Sequence, residues 1–461
     1  MSLFMFCLMA GCRGPVEPAA TRGSDASGAD TSSTVDAQPV RDSGSDSASS
    51  GEEPGPVLSE PILDDPSADL VLLLPAVDEA ALVDQWNALL PWITSRAAMG
   101  FRPAALPLYA IGEGPVTPER VRDALAEHFD DSRSSTHPLG RHLAIFGLPD
   151  GTSDPGAELP WIPRAHLDVP GTDYDVTTDW VYADPTSTMS LEAGTPTVFG
   201  DVDLADPTFL VFRMPAPDLD ALSAFVDRTA AWERSAHRRD ATLVAGGISG
   251  IRGDSSSLQC TVASNLAGLP TMGSVTKVFD FDVCEPDVLL SEGGERLADV
   301  LVDPARFEGG VVYVISHGSG ESIVAEGDER FFSMFEVADT SRLDPQVPWV
   351  YLSLACANDE PLEGEPNLSQ AILHSGGVAT VTSTSSMYFV PGTVDVLELE
   401  VSALPEVMGS DATLSAAVQR VRAGYYASAA EYPEDQRYGA WINLLGSQTN
   451  GDGTIRLGPE P

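Results

Sequence analysis

The sequence predicts an α/β protein whose mostly parallel sheets are flanked by helices. Three observations predict it. Short continuous apolar runs recur along the chain, as strands buried on both faces require. Amphipathic stretches with helix caps lie between them, and the two kinds of segment alternate. The first run is residues 69–75 (DLVLLLP), read as a short buried strand. Residues 117–129 follow as a helix, because Thr117 can cap it and Pro118 suits the first helical position. A second apolar run, 142–147 (HLAIFG), reads as a strand, and a long polar loop leads from it to Asp179-Trp180. Residues 208–213 (TFLVFR) give the next strand. The helix expected over 217–234 sets Leu219, Leu222, Phe225 and Val226 on one face.

A second such unit begins after a boundary near 236–240. Strands are expected at 241–246 (ATLVAG), 311–316 (VVYVIS), 348–355 (PWVYLSLA) and 377–384 (GVATVTST), with helices at 366–375 and 411–424. The chain therefore divides into residues 1–12, 13–65, 66–236 and 237–461.

Its 461 residues carry 69 acidic and 25 basic side chains, a formal net charge of -44, and Lys277 is the sole lysine. A field of that sign repels nucleic acid and anionic lipid, which excludes both as partners. Two readings of the acidity stand: a strongly solvated surface suited to salt, or an acidic groove that selects basic substrates. The 43% hydrophobic content is ordinary, so a real core can form.

Residues 1–12 (MSLFMFCLMAGC) form an apolar run too short to span a bilayer. Its ending, Leu8-Met9-Ala10-Gly11-Cys12, resembles the lipobox of bacterial lipoproteins, which implies lipidation of Cys12 and export. The basic start of a signal peptide is missing, and Met9 stands where Leu is usual. Residues 13–65 are rich in Ser, Asp, Gly, Ala and Pro and lack an apolar period. They cannot offset their ordering entropy and are expected to form a flexible stalk. The expected location is the cell envelope or the exterior, with membrane contact only through the lipid.

Two strand ends carry chemistry. Val311–Ser316 is followed by His317-Gly318, and Val350–Ala355 by Cys356. In open α/β sheets, ligands bind beyond the carboxyl ends of the strands. If the two strands are neighbours, thiol and imidazole emerge on one edge. The thiolate is the nucleophile, and a nearby imidazolium favours it. The backbone N–H groups of Gly318 and Cys356 could stabilise an oxyanion. Taken singly, a cysteine ending an apolar strand is usually a buried hydrophobe. Strand-His-Gly followed about 40 residues later by strand-Ala-Cys is far more specific.

This pair resembles the gingipain-like cysteine peptidases of the caspase-like clan, whose dyad stands as His-Gly after one apolar block and Ala-Cys after the next. Residues 208–234 are similar to the family's Gly-Arg-x-Pro strand turn and the helix after it, with Phe212 in place of the glycine and Trp232-Glu233 near the end. Asp179-Trp180-Val181-Tyr182 is similar to its Asp-x-x-Tyr segment, and Ala357-Asn358-Asp359 to its polar turn after the cysteine. The resemblance covers roughly 69–458. It implies two adjacent caspase-like subdomains, the second catalytic, acting on protein or peptide substrates with no required cofactor, as a monomer.

The departures bear on specificity. Gly247 and Ser257 stand where arginine-specific members carry acids, with Asp254 the nearby acid, so arginine preference is not implied. Tyr388 or Phe389 falls near an aromatic pocket wall, which implies an apolar or mixed pocket. Leu445-Gly446-Ser447-Gln448 replaces the family's Leu-Gly-Asp-Pro, and the acidic loop 321–330 is a candidate cover for the cleft. Asp201, Asp203 and Asp206 cluster oxygen ligands of the kind calcium prefers, and the resemblance implies structural calcium. In so acidic a chain, such a cluster also arises by chance. Cys260 and Cys284 either pair across a loop of about 25 residues, stabilising by roughly 3 kcal/mol, or stay as two buried thiols. Two other functions remain open: a silent scaffold used for binding, and acyl transfer to an amine.

Overall fold

The computed structural model describes residues 58, 60–63, 65–112, 114–129, 137–149, 157–169, 175–187, 189–191, 206–246, 255–270, 272–279, 296–326, 331–362, 365–387 and 408–458. In chain order, the first half runs β1 (Leu70–Leu74), α1 (Glu79–Ala98), β2 (Pro103–Pro107), α2 (Pro118–His128), β3 (His142–Phe146), β4 (Ala165–Asp168), β5 (Asp175–Thr178), β6 (Leu210–Met214) and α3 (Leu219–Arg234). The second runs β7 (Ala241–Ala245), α4 (Ser255–Ala267), β8 (Val275–Phe279), α5 (Leu297–Leu301), β9 (Gly310–Ile315), β10 (His317–Gly318), β11 (Ser322–Glu326) and β12 (Phe331–Glu336). It continues with β13 (Trp349–Leu354), α6 (Leu368–His374), β14 (Gly377–Ser383), α7 (Leu414–Ala429), α8 (Glu434–Gly446) and β15 (Ser447–Gly451).

One ten-stranded sheet carries the fold, in the order β2-β1-β3-β6-β15-β14-β13-β9-β7-β8. Every pairing in it is parallel except β14 with β15. Because β15 is parallel to β6 and antiparallel to β14, the strands of the two halves point in opposite directions. The last strand in the sequence thus sits at the join between the halves.

The apolar runs are continuous because both faces are covered. In β1, Val71 and Leu73 enter one core while Leu70, Leu72 and Leu74 enter another on the opposite face. Leu70–Leu74 are all fully buried, which explains a run with no polar alternation. In the second half, Val311, Tyr313 and Ile315 of β9 join the first core, and Val312 and Val314 join a third. Helices α1 and α3 cover one face of the first half with Trp86, Leu89, Trp92, Leu222 and Phe225. Burying rings the size of Trp86 and Trp92 stabilises by roughly 4–6 kcal/mol each on area grounds, an upper figure.

Capping sets the helix starts. Thr117 accepts from the Arg120 N–H ahead of α2, with Pro118 in the first turn, and Asp218 accepts from the Ala221 N–H ahead of α3. Asp78 does the same for α1, a 20-residue helix that contains Pro91.

Two sequence expectations are corrected. The polar loop before Asp179 contains the hairpin β4–β5, whose register pairs Ala165 with Thr178 and Asp168 with Asp175. With four residues alternating buried and exposed in β4, its signal is too short to register as a strand. Residues 322–326 of the acidic loop form β11, which pairs with β10 on one side and β12 on the other. Ile323 and Ala325 anchor it in the core, and this overrides the flanking charges. Residues 327–330 lie outside the described residues. Asn450 and Gly451 end β15, and the carboxylate of Asp452 accepts from Arg96 and from the Trp92 indole.

Candidate active site

The sheet register brings the two reactive residues together. β9 and β13 are parallel neighbours, with Ile315 opposite Leu354. Each chain then runs two residues further, to His317 and to Cys356, on strands about 5 Å apart. Cys356 is buried at 9% exposure, packs in the same core as Leu354 and Ile315, and is not disulfide-bonded. His317 is half-buried and opens β10.

Behind the cysteine the chain turns sharply. Ala357 has φ 56°, the left-handed region that a residue with a Cβ enters at a cost of about 1–2 kcal/mol. The surroundings hold it there. The Ala357 N–H donates to the Ser385 carbonyl and the Asp359 N–H to the Ser383 carbonyl, each at 2.9 Å. The Ser369 N–H donates to the Asn358 carbonyl at 3.1 Å. From the same 383–387 segment, the Met387 N–H points at the Cys356 sulfur at 3.5 Å. A donor aimed at sulfur favours the thiolate.

Gly318 is required by contact. A Cβ there would stand 2.6 Å from the Cys356 carbonyl oxygen and 2.8 Å from both the Ala355 Cβ and the Asn358 Nδ2. The hairpin also fixes where its N–H goes. Ser319 donates to the Ser322 carbonyl at 2.9 Å, and Gly318 faces Ile323 in the next register position. Antiparallel ladders alternate bonded and non-bonded pairs, so the Gly318 N–H is turned away from β11. Gly246, at the end of β7, abuts the same strand: a Cβ there would collide with the Ser316 hydroxyl, which donates to the Val324 carbonyl at 2.6 Å.

Asn358 ties the nucleophile turn to the histidine hairpin. Its Oδ1 accepts from the Tyr351 hydroxyl at 3.1 Å and the Ser353 hydroxyl at 2.8 Å. Its Nδ2 donates to the Ser319 carbonyl at 2.9 Å, with longer approaches to the carbonyls of Ser322 and Cys356. Burial holds the Tyr351 phenol above its ordinary pKa, so it stays a neutral donor.

Next to it, Asp359 joins a buried ionic chain that reaches into the first half. Arg164 meets Asp359 at 2.8 Å and Asp179 at 3.2 Å, and Asp179 also takes the fork of Arg213 at 2.5 and 2.8 Å. Burial alone would raise the Asp179 pKa, but Arg213 and then Arg164 outweigh it and hold the carboxyl below the usual range. For Arg164, burial opposes the charge, while Asp359 and Asp179 keep the guanidinium protonated. Asp179 and Arg213 belong to two segments quoted above for their resemblance, and the fold makes them partners. Sequence reasoning missed Arg164. Its only signal is a lone cation beside an apolar stretch.

Ser257 lies in α4, but its side chain is outside the described residues, as are Cys12, Asp201, Asp203, Cys284, Tyr388 and Phe389. Asp206 is described, and among the described residues no three His, Cys, Asp or Glu side chains group to hold a metal. Cys260 is disulfide-bonded. No described helix is long and apolar enough to cross a membrane.

The profile of Peptidase family C25 matches residues 64–456. Among solved structures, the chain is similar to the Arg-specific cysteine proteinase gingipain R, with TM-score 0.58 and 17% identity over 86% of this chain and 80% of that one. It is also similar to the complex of RgpB pro- and mature domains from Porphyromonas gingivalis, at TM-score 0.57 and 14% identity over 84% and 79% of the two chains. A third structure, of a protease, gives TM-score 0.54 and 12% identity over 85% and 79%. No curated protein matches. At these identities the structures establish the α/β gingipain fold, which the sequence predicted.

Proposed function

Given that the chain belongs to peptidase family C25, we propose that it is a cysteine endopeptidase with His317 and Cys356 as its catalytic dyad. The observation that carries this reading is the register: parallel neighbours β9 and β13 release the imidazole and the thiol from adjacent positions on one sheet edge. His317 takes the thiol proton, and the Cys356 sulfur bonds to the substrate carbonyl carbon. The oxyanion that forms accepts from the N–H groups of Gly318 and Cys356. Collapse breaks the C–N bond, and His317 returns the proton to the leaving amine. Water, deprotonated by His317, then attacks the thioester and releases the acid and the thiol.

The substrate is a protein or peptide. Gingipain R is Arg-specific, yet Gly247 and Ser257 stand where acids would select arginine, so this chain takes an apolar or mixed residue at P1. The resemblance assigns Tyr388 or Phe389 to the wall of that pocket. Export is part of the same reading: residues 1–12 carry the lipobox-like ending at Cys12, and the disulfide at Cys260 fits an oxidising compartment. Labelled fatty acid should enter the wild-type chain and not Cys12→Ser.

The test is an unbiased peptide library incubated with the purified chain under mild reduction. Cleavage by the wild type and none by Cys356→Ala supports the dyad and reports P1. If neither cleaves and a thiol-reactive probe leaves Cys356 unlabelled, the chain is a silent binding scaffold instead.

A further inference from the structure

The three residues after the nucleophile are held mostly from within their own half of the chain, and one guanidinium of the first half, Arg164, supplies the charged part of that hold at Asp359. Asp359 is 1% exposed. Its carboxylate receives Arg164 at 2.8 Å, the Asn450 amide at 2.9 Å and the Asn367 amide at 3.3 Å. The last two are neutral, so Arg164 is the cation that offsets this buried charge. Arg164 is itself fixed. It contacts Asp179 at 3.2 Å and donates to the Asn450 Oδ1 at 3.0 Å, while Arg213 grips Asp179 and donates to the Ile162 carbonyl at 2.9 Å.

We propose that Arg164 is a positioning residue for Cys356, through which the first half of the chain holds the left-handed turn Cys356–Asp359 in its reactive geometry. The proposal rests on the reading of Cys356 as nucleophile. The physical reason is rigidity. Ala357 sits in a strained conformation that persists only while its surroundings over-determine it, and the two residues after it, Asn358 and Asp359, are its buried anchors, Asp359 being the charged one. Without Arg164 the carboxylate would be a buried charge with no cation beside it, and the turn would shift to hydrate it. A displacement of about 1 Å at a reacting atom costs on the order of a hundredfold in rate. Lysine cannot substitute well, because a point charge does not span two carboxylates as a planar fork does. The inference also gives the first half a part in the chemistry of a dyad that lies wholly in the second.

The experiment compares the full-length wild type with Arg164→Met, Arg164→Lys and the double variant Arg164→Met/Asp359→Asn. Two quantities are read: the alkylation rate of Cys356 by iodoacetamide as a function of pH, and kcat and KM per titrated thiol on a substrate chosen from the library. Arg164→Met should slow alkylation and lower kcat by roughly tenfold to a hundredfold, with KM within about twofold. Arg164→Lys should fall between it and the wild type. Adding Asp359→Asn should recover part of kcat, because no buried charge is then left unpaired.

If the variants melt earlier but their titrated thiols show the wild-type alkylation profile and kcat, Arg164 is scaffolding and the proposal is overturned. Should Arg164→Met fail to fold, Arg164→Lys and the double variant are read against the same criteria. A wild type that cleaves no peptide would sink the peptidase reading, and the alkylation comparison would still decide for or against Arg164.

Discussion

Replacing Asn358 with alanine separates the geometry of the site from the stability of the chain. In the wild type its carboxamide accepts from two buried hydroxyls, Tyr351 and Ser353, and donates at 2.9 Å to the carbonyl of Ser319 in the histidine hairpin. The alanine variant strands both hydroxyls and that carbonyl, and leaves a small void beside Cys356. At about 1–1.5 kcal/mol per stranded group, the loss of stability is about 3–5 kcal/mol once the void is included. Asn358→Asp is the matched control. It keeps acceptors for Tyr351 and Ser353 but presents an oxygen, not an N–H, to the Ser319 carbonyl. Urea denaturation followed by tryptophan fluorescence reads stability, and kcat/KM per titrated thiol reads geometry. Both variants should lose roughly tenfold or more in kcat/KM, and the aspartate, a buried carboxylate facing a carbonyl, should lose several kcal/mol of stability as well. Full kcat/KM per titrated thiol in Asn358→Asp would refute the idea that this amide sets the spacing of His317 and Cys356.

Three other outcomes follow from the same structure. Burial holds the pKa of His142 down from 6.5 to about 3, so the unfolded chain binds the extra proton first. Its contribution is fully present above about pH 6.5 and is lost as pH falls toward 3, reaching about 2–3 kcal/mol at about pH 4.5. The wild type should therefore lose that much more stability between neutral pH and about pH 4.5 than His142→Phe does, as read by urea melts at both values. Gly318→Ala should cost most of the activity and some stability, since its methyl would press on the Cys356 carbonyl; a variant with wild-type kcat would mean that the hairpin gives way freely. Asp179→Asn weakens the partner of two buried guanidiniums and should destabilise by about 3–5 kcal/mol, as read by denaturant midpoints, while an unchanged midpoint would show that water reaches them.

The sequence by itself determined the strands that are buried on both faces, because an unbroken apolar run such as 70–74 has no other economical place in a water-soluble α/β fold. It also determined the starts of α2 and α3, where Thr117 and Asp218 cap locally, and the two strand ends that carry His317 and Cys356. These are properties of a few consecutive residues. Only the tertiary structure decided which segments meet. The strand β15 reads as polar, SQTNG, and becomes a strand because neighbours on both sides complete its backbone bonds and buried amides such as Asn450 find partners. The hairpin beside His317 looked like a charged loop, since the pairing that makes it a strand comes from β12. Arg164 meets Asp359 and Asp179 meets Arg213 across long stretches of sequence, and neither charge marks its partner. A lone arginine or aspartate carries no record of what will neutralise it. That is fixed when the sheet closes between the halves and takes the water away.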